Sequence, residues 1–141
     1  MDEIDKKLLA ALGEDARAPA AQLGRRLGLS RTTVQSRIER LERRGVIVGY
    51  TTRLSPEHER GAVRAQVMIT VRPKEQRAVE SALRAIRQVR VLQTVSGAFD
   101  MVAQVVAETT AEMDALVDAI GELPGVERTT SSIILSTKFD R

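Results

Sequence analysis

The chain has no cysteine and no tryptophan, and only one histidine, one tyrosine and two phenylalanines among its 141 residues. Without cysteine there are no disulfides, thiolate metal sites or thiol nucleophiles. The single His58 lies in a polar stretch between Pro56 and Gly61, so one chain cannot assemble a histidine-based metal site. No metal and no cofactor is therefore expected. No apolar run approaches the roughly 20 residues that span a bilayer. Met1 is followed by Asp2-Glu3-Ile4-Asp5 rather than by a basic and then an apolar segment, so a cytoplasmic location without a membrane partner is expected. No Gly-rich phosphate loop ending in Lys-Ser or Lys-Thr occurs. The scarcity of aromatic rings argues against stacking on single-stranded nucleic acid.

Charge is what the chain distributes unevenly. Lys and Arg number 22 against 19 Asp and Glu, a net of +3, and all of that excess lies in the first fifty residues. From Arg25 to Arg44 there are seven arginines, at 25, 26, 31, 37, 40, 43 and 44, against only Glu39 and Glu42. A short basic surface of this kind attracts a polyanion.

Periodicity divides the chain. Ile4, Leu8 and Leu12 place one face of a first helix, with Gly13 as a stop. A second helix opens near Pro19, buries Leu23 and Leu27 and ends at Gly28. Ser30 suits the N-cap of a third helix that runs to about Arg44, with Val34, Ile38 and Leu41 inward. At 100° per residue, Thr32, Ser36, Glu39 and Arg43 then point outward, with Thr33, Gln35 and Arg40 on the shoulders. The β-branched run Val46-Ile47-Val48-Gly49-Tyr50 reads as a strand, and residues 51–61 read as a linker.

Beyond the linker the period changes to two. Val63, Ala65, Val67, Ile69 and Val71 alternate with polar or larger neighbours as in a strand with one buried face. Pro73 is expected to open a helix with Val79, Leu83 and Ile86 inward. Strands near Val91–Ser96 and Met101–Ala107 flank the turn Gly97-Ala98-Phe99-Asp100. Thr109 and Glu112 have capping-box spacing ahead of a helix carrying Met113, Leu116, Val117 and Ile120, and Thr129–Thr137 completes a β-α-β-β-α-β order. The expected fold is thus α+β: a winged helix-turn-helix domain over 1–50, a linker over 51–61, and a ferredoxin-like βαββαβ domain over 62–141. In Val102–Val106 and Ile133–Leu135 apolar residues occupy both strand faces, whereas the helices cover one, so the second face is expected to meet another subunit.

Two helices joined by Gly28-Leu29-Ser30, the second of them basic, form a helix-turn-helix, whose second helix fits the major groove of duplex DNA. Arg31, Thr32, Gln35 and Ser36 are candidates for base or backbone contact, with Ser30 and Thr33 beside them, and Arg37 and Arg40 are candidates for phosphates. The competing reading of this helix is a solvated charged face with Glu39 and Arg43 paired at i, i+4. Gly24-x-x-x-Gly28 reads as close packing plus a C-cap.

The runs Ile4-Asp5-Lys6-Lys7-Leu8-Leu9, Leu23-Gly24-Arg25-Arg26-Leu27-Gly28-Leu29-Ser30 and Val34 to Tyr50, followed by Val95-Ser96-Gly97-Ala98-Phe99-Asp100 and Leu123-Pro124-Gly125-Val126, resemble the leucine-responsive/AsnC (feast/famine) transcriptional regulators over essentially the whole chain. The resemblance implies promoter binding, a homodimer made through the C-terminal sheets that assembles further to tetramers or octamers, and an amino acid or related small metabolite as effector. It places the effector near Gly97, Asp100, Thr129 and Ser131, where Asp100 could accept from an α-ammonium group and the two hydroxyls could hydrogen-bond. Asp100 could equally cap its own turn, and the hydroxyls could be plain edge-strand residues. Pro19 stands where many members carry a capping Ser, so the second helix is expected to have a weaker cap, and Ala98 replaces a polar or acidic residue often seen beside that turn.

The leading expectation is a sequence-specific, effector-modulated regulator acting on double-stranded promoter DNA in association with the nucleoid. The alternative is a nucleoid-organising protein that wraps DNA with low sequence preference. Proteins of similar architecture serve as sirohaem decarboxylases and are expected to use histidines near the tetrapyrrole. With His58 alone, this chain is not expected to be an enzyme.

Overall fold

Helix α1 (Glu3–Glu14) starts at a reciprocal cap: the Asp2 carboxylate accepts from Asp5 N at 2.8 Å, and the Asp5 carboxylate accepts from Asp2 N at 3.3 Å. In the computed structural model, which describes residues 1–141 other than 56 and 60, the helix runs through the expected stop at Gly13 and ends at Asp15. Helix α2 (Ala20–Leu27) begins after Pro19 with no side-chain cap, as the missing Ser foreshadowed, and ends at Gly28 in the left-handed region, φ 70°. Helix α3 (Arg31–Arg43) is capped by Ser30, whose Oγ accepts from Thr33 N at 3.1 Å. Leu8, Ala11, Leu12, Leu23, Val34 and Leu41 are buried together, so the three apolar stripes share one small core.

The chain between α2 and α3 passes very close to α2. Leu29 N donates to Gly24 O at 2.8 Å, and a Cβ on Gly24 would lie 2.5 Å from Leu29 O. Gly24 is therefore what allows the turn to fold back onto its own helix.

The strand expected at Val46–Tyr50 does not form. Val46 N and Ile47 N both donate to Leu41 O, at 2.9 and 3.2 Å, which spends them on the end of α3. Strand propensity needs a ladder partner, and no segment of the first fifty-three residues is a strand. The helix-turn-helix stands, but the strand that would make its wing is absent from the described residues. Tyr50 folds back, its OH donating to Glu42 Oε1 at 2.7 Å.

By contact the chain divides into units Met1–Arg53 and Leu54–Arg141, with two positions of the expected 51–61 linker, 56 and 60, outside the described residues. The second unit is β1 (Val63–Val71), α4 (Gln76–Arg84), β2 (Val89–Thr94), β3 (Met101–Ala107), α5 (Thr110–Gly121) and β4 (Val126–Ile133). The sheet is antiparallel in the order β2-β3-β1-β4, as the split βαβ order requires. Ala65, Val67, Ile69 and Val71 of β1 and Met101, Ala103, Val105 and Ala107 of β3 pack beneath Val79, Leu83, Met113, Leu116 and Ile120 of the helices. The opposite face carries Met68, Val102 and Val106, half-buried, and Val91, exposed, among Gln66, Gln93 and Gln104.

Three boundaries differ from expectation. Pro73 lies in a turn with Lys74 at φ 71°, and α4 starts only after Glu75. Strand β2 begins at Val89, opposite Val105, and β4 spans Val126–Ile133 rather than 129–137, because Val126 pairs with Val71 and the β1 partners end at Ala65. Both shifts follow from where the partner strands lie. Thr109 caps α5 as expected, accepting from Glu112 N at 3.1 Å, while the Glu112 carboxylate accepts from Glu108 N at 2.9 Å.

Gly24→Ala is expected to destabilise the N-terminal unit by about 1–3 kcal/mol, because the obstructing atom is backbone that cannot swing away. A chemical denaturation of wild type and variant measures this, and equal midpoints would show that the turn has room the geometry denies.

Candidate nucleic-acid interface

The outward face of α3 is built by elimination. Val34 and Leu41 are buried and Ile38 half-buried, which leaves Thr32, Gln35, Ser36, Glu39 and Arg43 exposed on the remaining arc. Arg31 and Gln35, with Ile38, line a shallow groove of about 510 Å³ against Pro19, Ala20 and Ala21 of the second helix. No Glu39–Arg43 ion pair occurs among the described residues, so the bland reading of those two as a helix-stabilising pair lacks its contact. Ser30 and Thr33 are committed locally: Ser30 Oγ donates to Thr33 Oγ1 at 2.8 Å in addition to accepting from Thr33 N.

Arg37 and Arg40 are not free at the flank where phosphate contacts were expected. Arg37 Nη1 donates to Asp2 Oδ2 at 2.8 Å, to Asp2 Oδ1 at 3.0 Å and to Asp5 Oδ1 at 2.9 Å, and its side chain is only 19% exposed. Arg40 Nη2 donates to Asp5 Oδ2 at 3.2 Å with its side chain 46% exposed. Asp5 itself is 1% exposed and is the one buried charged side chain among the described residues. The helical wheel put Arg40 on a shoulder of α3, but the side that Arg40 shares with Arg37 faces α1. Sequence reasoning did not single out Asp2 and Asp5 as partners of these arginines; the Asp-x-x-Asp spacing before an apolar run was the available signal.

These contacts hold the carboxylates ionised. The Asp5 pKa lies below its ordinary value of 3.8, chiefly because Arg37 donates to it. The Asp2 pKa is lowered first by the Asp5 backbone N–H and then by Arg37. Correspondingly the Arg37 guanidinium is raised by Asp2 and Asp5. Elsewhere Arg26 grips Glu14 with two bonds, at 2.7 and 3.2 Å, lowering the Glu14 carboxyl, and the Tyr50 phenol is raised by Glu42.

The four residues expected near an effector do not converge within one chain. Asp100 Oδ2 accepts from Val71 N at 2.7 Å, Asp100 N donates to Ile69 O at 2.9 Å and Asp100 O accepts from Val95 N at 3.0 Å, so this residue pins the end of β1. Gly97 has φ 112° and open space around it. Thr129 and Ser131 pair opposite Ile69 and Val67 on the far side of β1, about 10 Å from the β3 edge by two strand spacings. Ser131 lines a separate cavity of about 310 Å³ with Val63, Met113, Val117 and Ile133. Among the described residues no cluster of His, Asp or Glu has metal-binding geometry, and no helix is long and apolar enough to cross a membrane.

A basic-faced helix-turn-helix followed by a four-stranded ferredoxin-like unit defines a transcriptional regulator with an attached ligand-binding domain. Residues 1–42 match the AsnC-type helix-turn-helix domain and residues 64–141 the Lrp/AsnC ligand binding domain. The chain belongs to the Lrp/AsnC family, whose named members here are transcriptional regulators and not enzymes. It is 36% identical to the HTH-type transcriptional regulator LrpA of Mycobacterium tuberculosis, over 99% of this chain and 93% of that one. To LrpA of Pyrococcus horikoshii it is 32% identical, over 96% of each. Among solved structures it superposes with TM-score 0.88 on Escherichia coli AsnC, at 22% identity and over 100% and 96% of the two chains. It also superposes with TM-score 0.88 on a transcriptional regulator from Neisseria meningitidis in complex with L-methionine, at 25% identity and over 99% and 93%.

The lowered carboxylates set an acid limit to stability. A carboxylate whose folded pKa is depressed contributes fully above its unfolded value, near 3.8 for Asp, and loses that contribution as pH falls through the folded value. The contribution of Asp2 and Asp5 to stability is thus expected to be full and independent of pH above about pH 5 and to be lost below about pH 4. Denaturation midpoints of wild type and Asp5→Asn across pH 3–7 check this: the two should converge toward acid, and a constant gap would contradict it.

Proposed function

We propose that the protein is a sequence-specific regulator that reads duplex promoter DNA with α3 and whose DNA affinity is tuned by an amino acid or related small metabolite at its C-terminal domain. The observation that carries this is the exposed, polar N-terminal half of α3, where Arg31, Thr32, Gln35 and Ser36 stand clear of the core with no intramolecular side-chain partner among the described residues. Gln35 has the paired donor and acceptor that match adenine N6 and N7, and Arg31 the fork that matches guanine or phosphate. Ser30 and Thr33 secure the start of the helix, and Arg43 supplies exposed positive charge farther along it. Segment 51–61 serves as the tether between the reading domain, 1–50, and the sensing domain, 62–141.

The amino-acid effector is supported by the ligand-binding domain match and by the methionine-bound Neisseria relative. Within one chain, Asp100 and Gly97 lie on one side of β1 and Thr129 and Ser131 on the other, so the site is completed between copies. The half-buried Met68, Val102 and Val106 on the uncovered sheet face support a homodimer through the C-terminal sheets, which assembles further to a tetramer or octamer. Effector and DNA are coupled if the ligand prefers one subunit arrangement. The protein acts in the cytoplasm on nucleoid DNA. A wrapping role with little sequence preference is the second reading, favoured by the basic excess of residues 25–44 alone.

Gln35→Ala is expected to cost about 1–3 kcal/mol on the operator and little on random duplex, measured by titration into both. Arg43→Ala is expected to weaken binding to all sequences and to flatten the salt slope by about one unit. Equal losses on both duplexes for Gln35→Ala would assign the residue to the backbone and favour the wrapping role.

A further inference from the structure

Seven arginines crowd residues 25–44, yet three of them are already spent. Arg26 is held by Glu14, and Arg37 and Arg40 converge on Asp2 and Asp5. The last four form a closed group of two cations and two anions with no net charge. We propose that Asp2 and Asp5 withhold Arg37 and Arg40 from DNA phosphates, making this acid pair a determinant of how well the protein discriminates its operator from bulk DNA. The inference rests on the reading of α3 as the DNA-facing helix.

Three features support it. The Arg37 guanidinium touches both carboxylates and is mostly covered, so moving to a phosphate would leave Asp5 only the longer bonds from Arg40 and the Asp2 N–H. Depriving a buried carboxylate of its shortest charged bond is costly, and this restrains Arg37 more firmly than the more exposed Arg40. Finally, phosphate contacts raise affinity for every sequence alike, whereas base contacts raise it for one. Neutralising two arginines on the helix that also carries Gln35 and Ser36 therefore lowers affinity for random DNA without touching the reading face. Arg25, Arg31, Arg43 and Arg44, which make no ion pair among the described residues, are left to set the electrostatic part of binding.

The test compares full-length wild type, Asp2→Asn and Arg37→Gln by titration into the duplex upstream of the gene and into a scrambled duplex of equal length, from 50 to 200 mM salt. Asparagine keeps the N-cap of α1 and removes one negative charge. Asp2→Asn is expected to steepen the salt slope on both duplexes by up to about one unit, equivalent to up to about a fourfold larger loss of affinity across that range, and to lower the ratio of specific to random binding. Arg37→Gln is expected to leave the slope where it is. Should Asp2→Asn lose helicity by circular dichroism, Asp2→Ser, which also caps and also removes the charge, carries the same arm. An Arg37→Gln slope flattened by about one unit would show that Arg37 already sits on a phosphate and would overturn the proposal. So would an unchanged slope in the Asp2 variants. If Arg31→Ala and Gln35→Ala leave both affinities intact, the DNA-facing reading of α3 fails first and this inference falls with it.

Discussion

The N-terminal unit turns on a single buried carboxylate. Asp5 closes the cap of α1 from inside, accepts from Arg37 and Arg40 on α3, and is sealed by its neighbours from water. A charge in that position fixes how α1 and α3 meet, because any other packing leaves it unpaired. The apolar stripes of three short helices bury only a handful of side chains, and hydrophobic contact alone is indifferent to small rotations of one helix on another. The directional bonds to Asp2 and Asp5 remove that freedom, so the same arc of α3 always faces outward. Orientation of α3 and neutralisation of Arg37 and Arg40 are two results of one contact.

The second unit solves a different problem. Its sheet is covered on one side by α4 and α5 through a core of small and β-branched residues, and it leaves on the other side a surface of alternating glutamines and aliphatic side chains. Asp100 ties the β2–β3 turn to the end of β1 through its carboxylate and its backbone N–H.

Much of this was legible in the residues. Period-two alternation located β1 to the residue, the Gly97–Asp100 turn located the start of β3, and Ser30, Gly28 and the Thr109–Glu112 spacing located helix ends, because these signals are local. What escaped were features that depend on a partner distant in sequence. Val46–Tyr50 has every local property of a strand, but a strand exists only as half of a pair, and its amides found Leu41 O instead. The ends of β2 and β4 were set by Val105 and Val71 across the sheet. With Arg40 on a shoulder of α3, Arg37 was expected on a phosphate, yet angle within a helix does not say which neighbour lies beside it. The acids that claim it are 32 and 35 residues earlier in the chain. Asp100 illustrates the same point at the candidate effector site, where a residue suited to bind an ammonium group spends one oxygen on the Val71 amide.

The central claim is that the outward face of α3 reads duplex sequence. It is tested most directly by titrating the purified full-length protein into the duplex upstream of its own gene and into a scrambled duplex of the same length at two salt concentrations. The account predicts tighter binding to the native duplex at both, with affinity on each falling as salt rises and the difference between them persisting. Equal affinity for the two duplexes would contradict it.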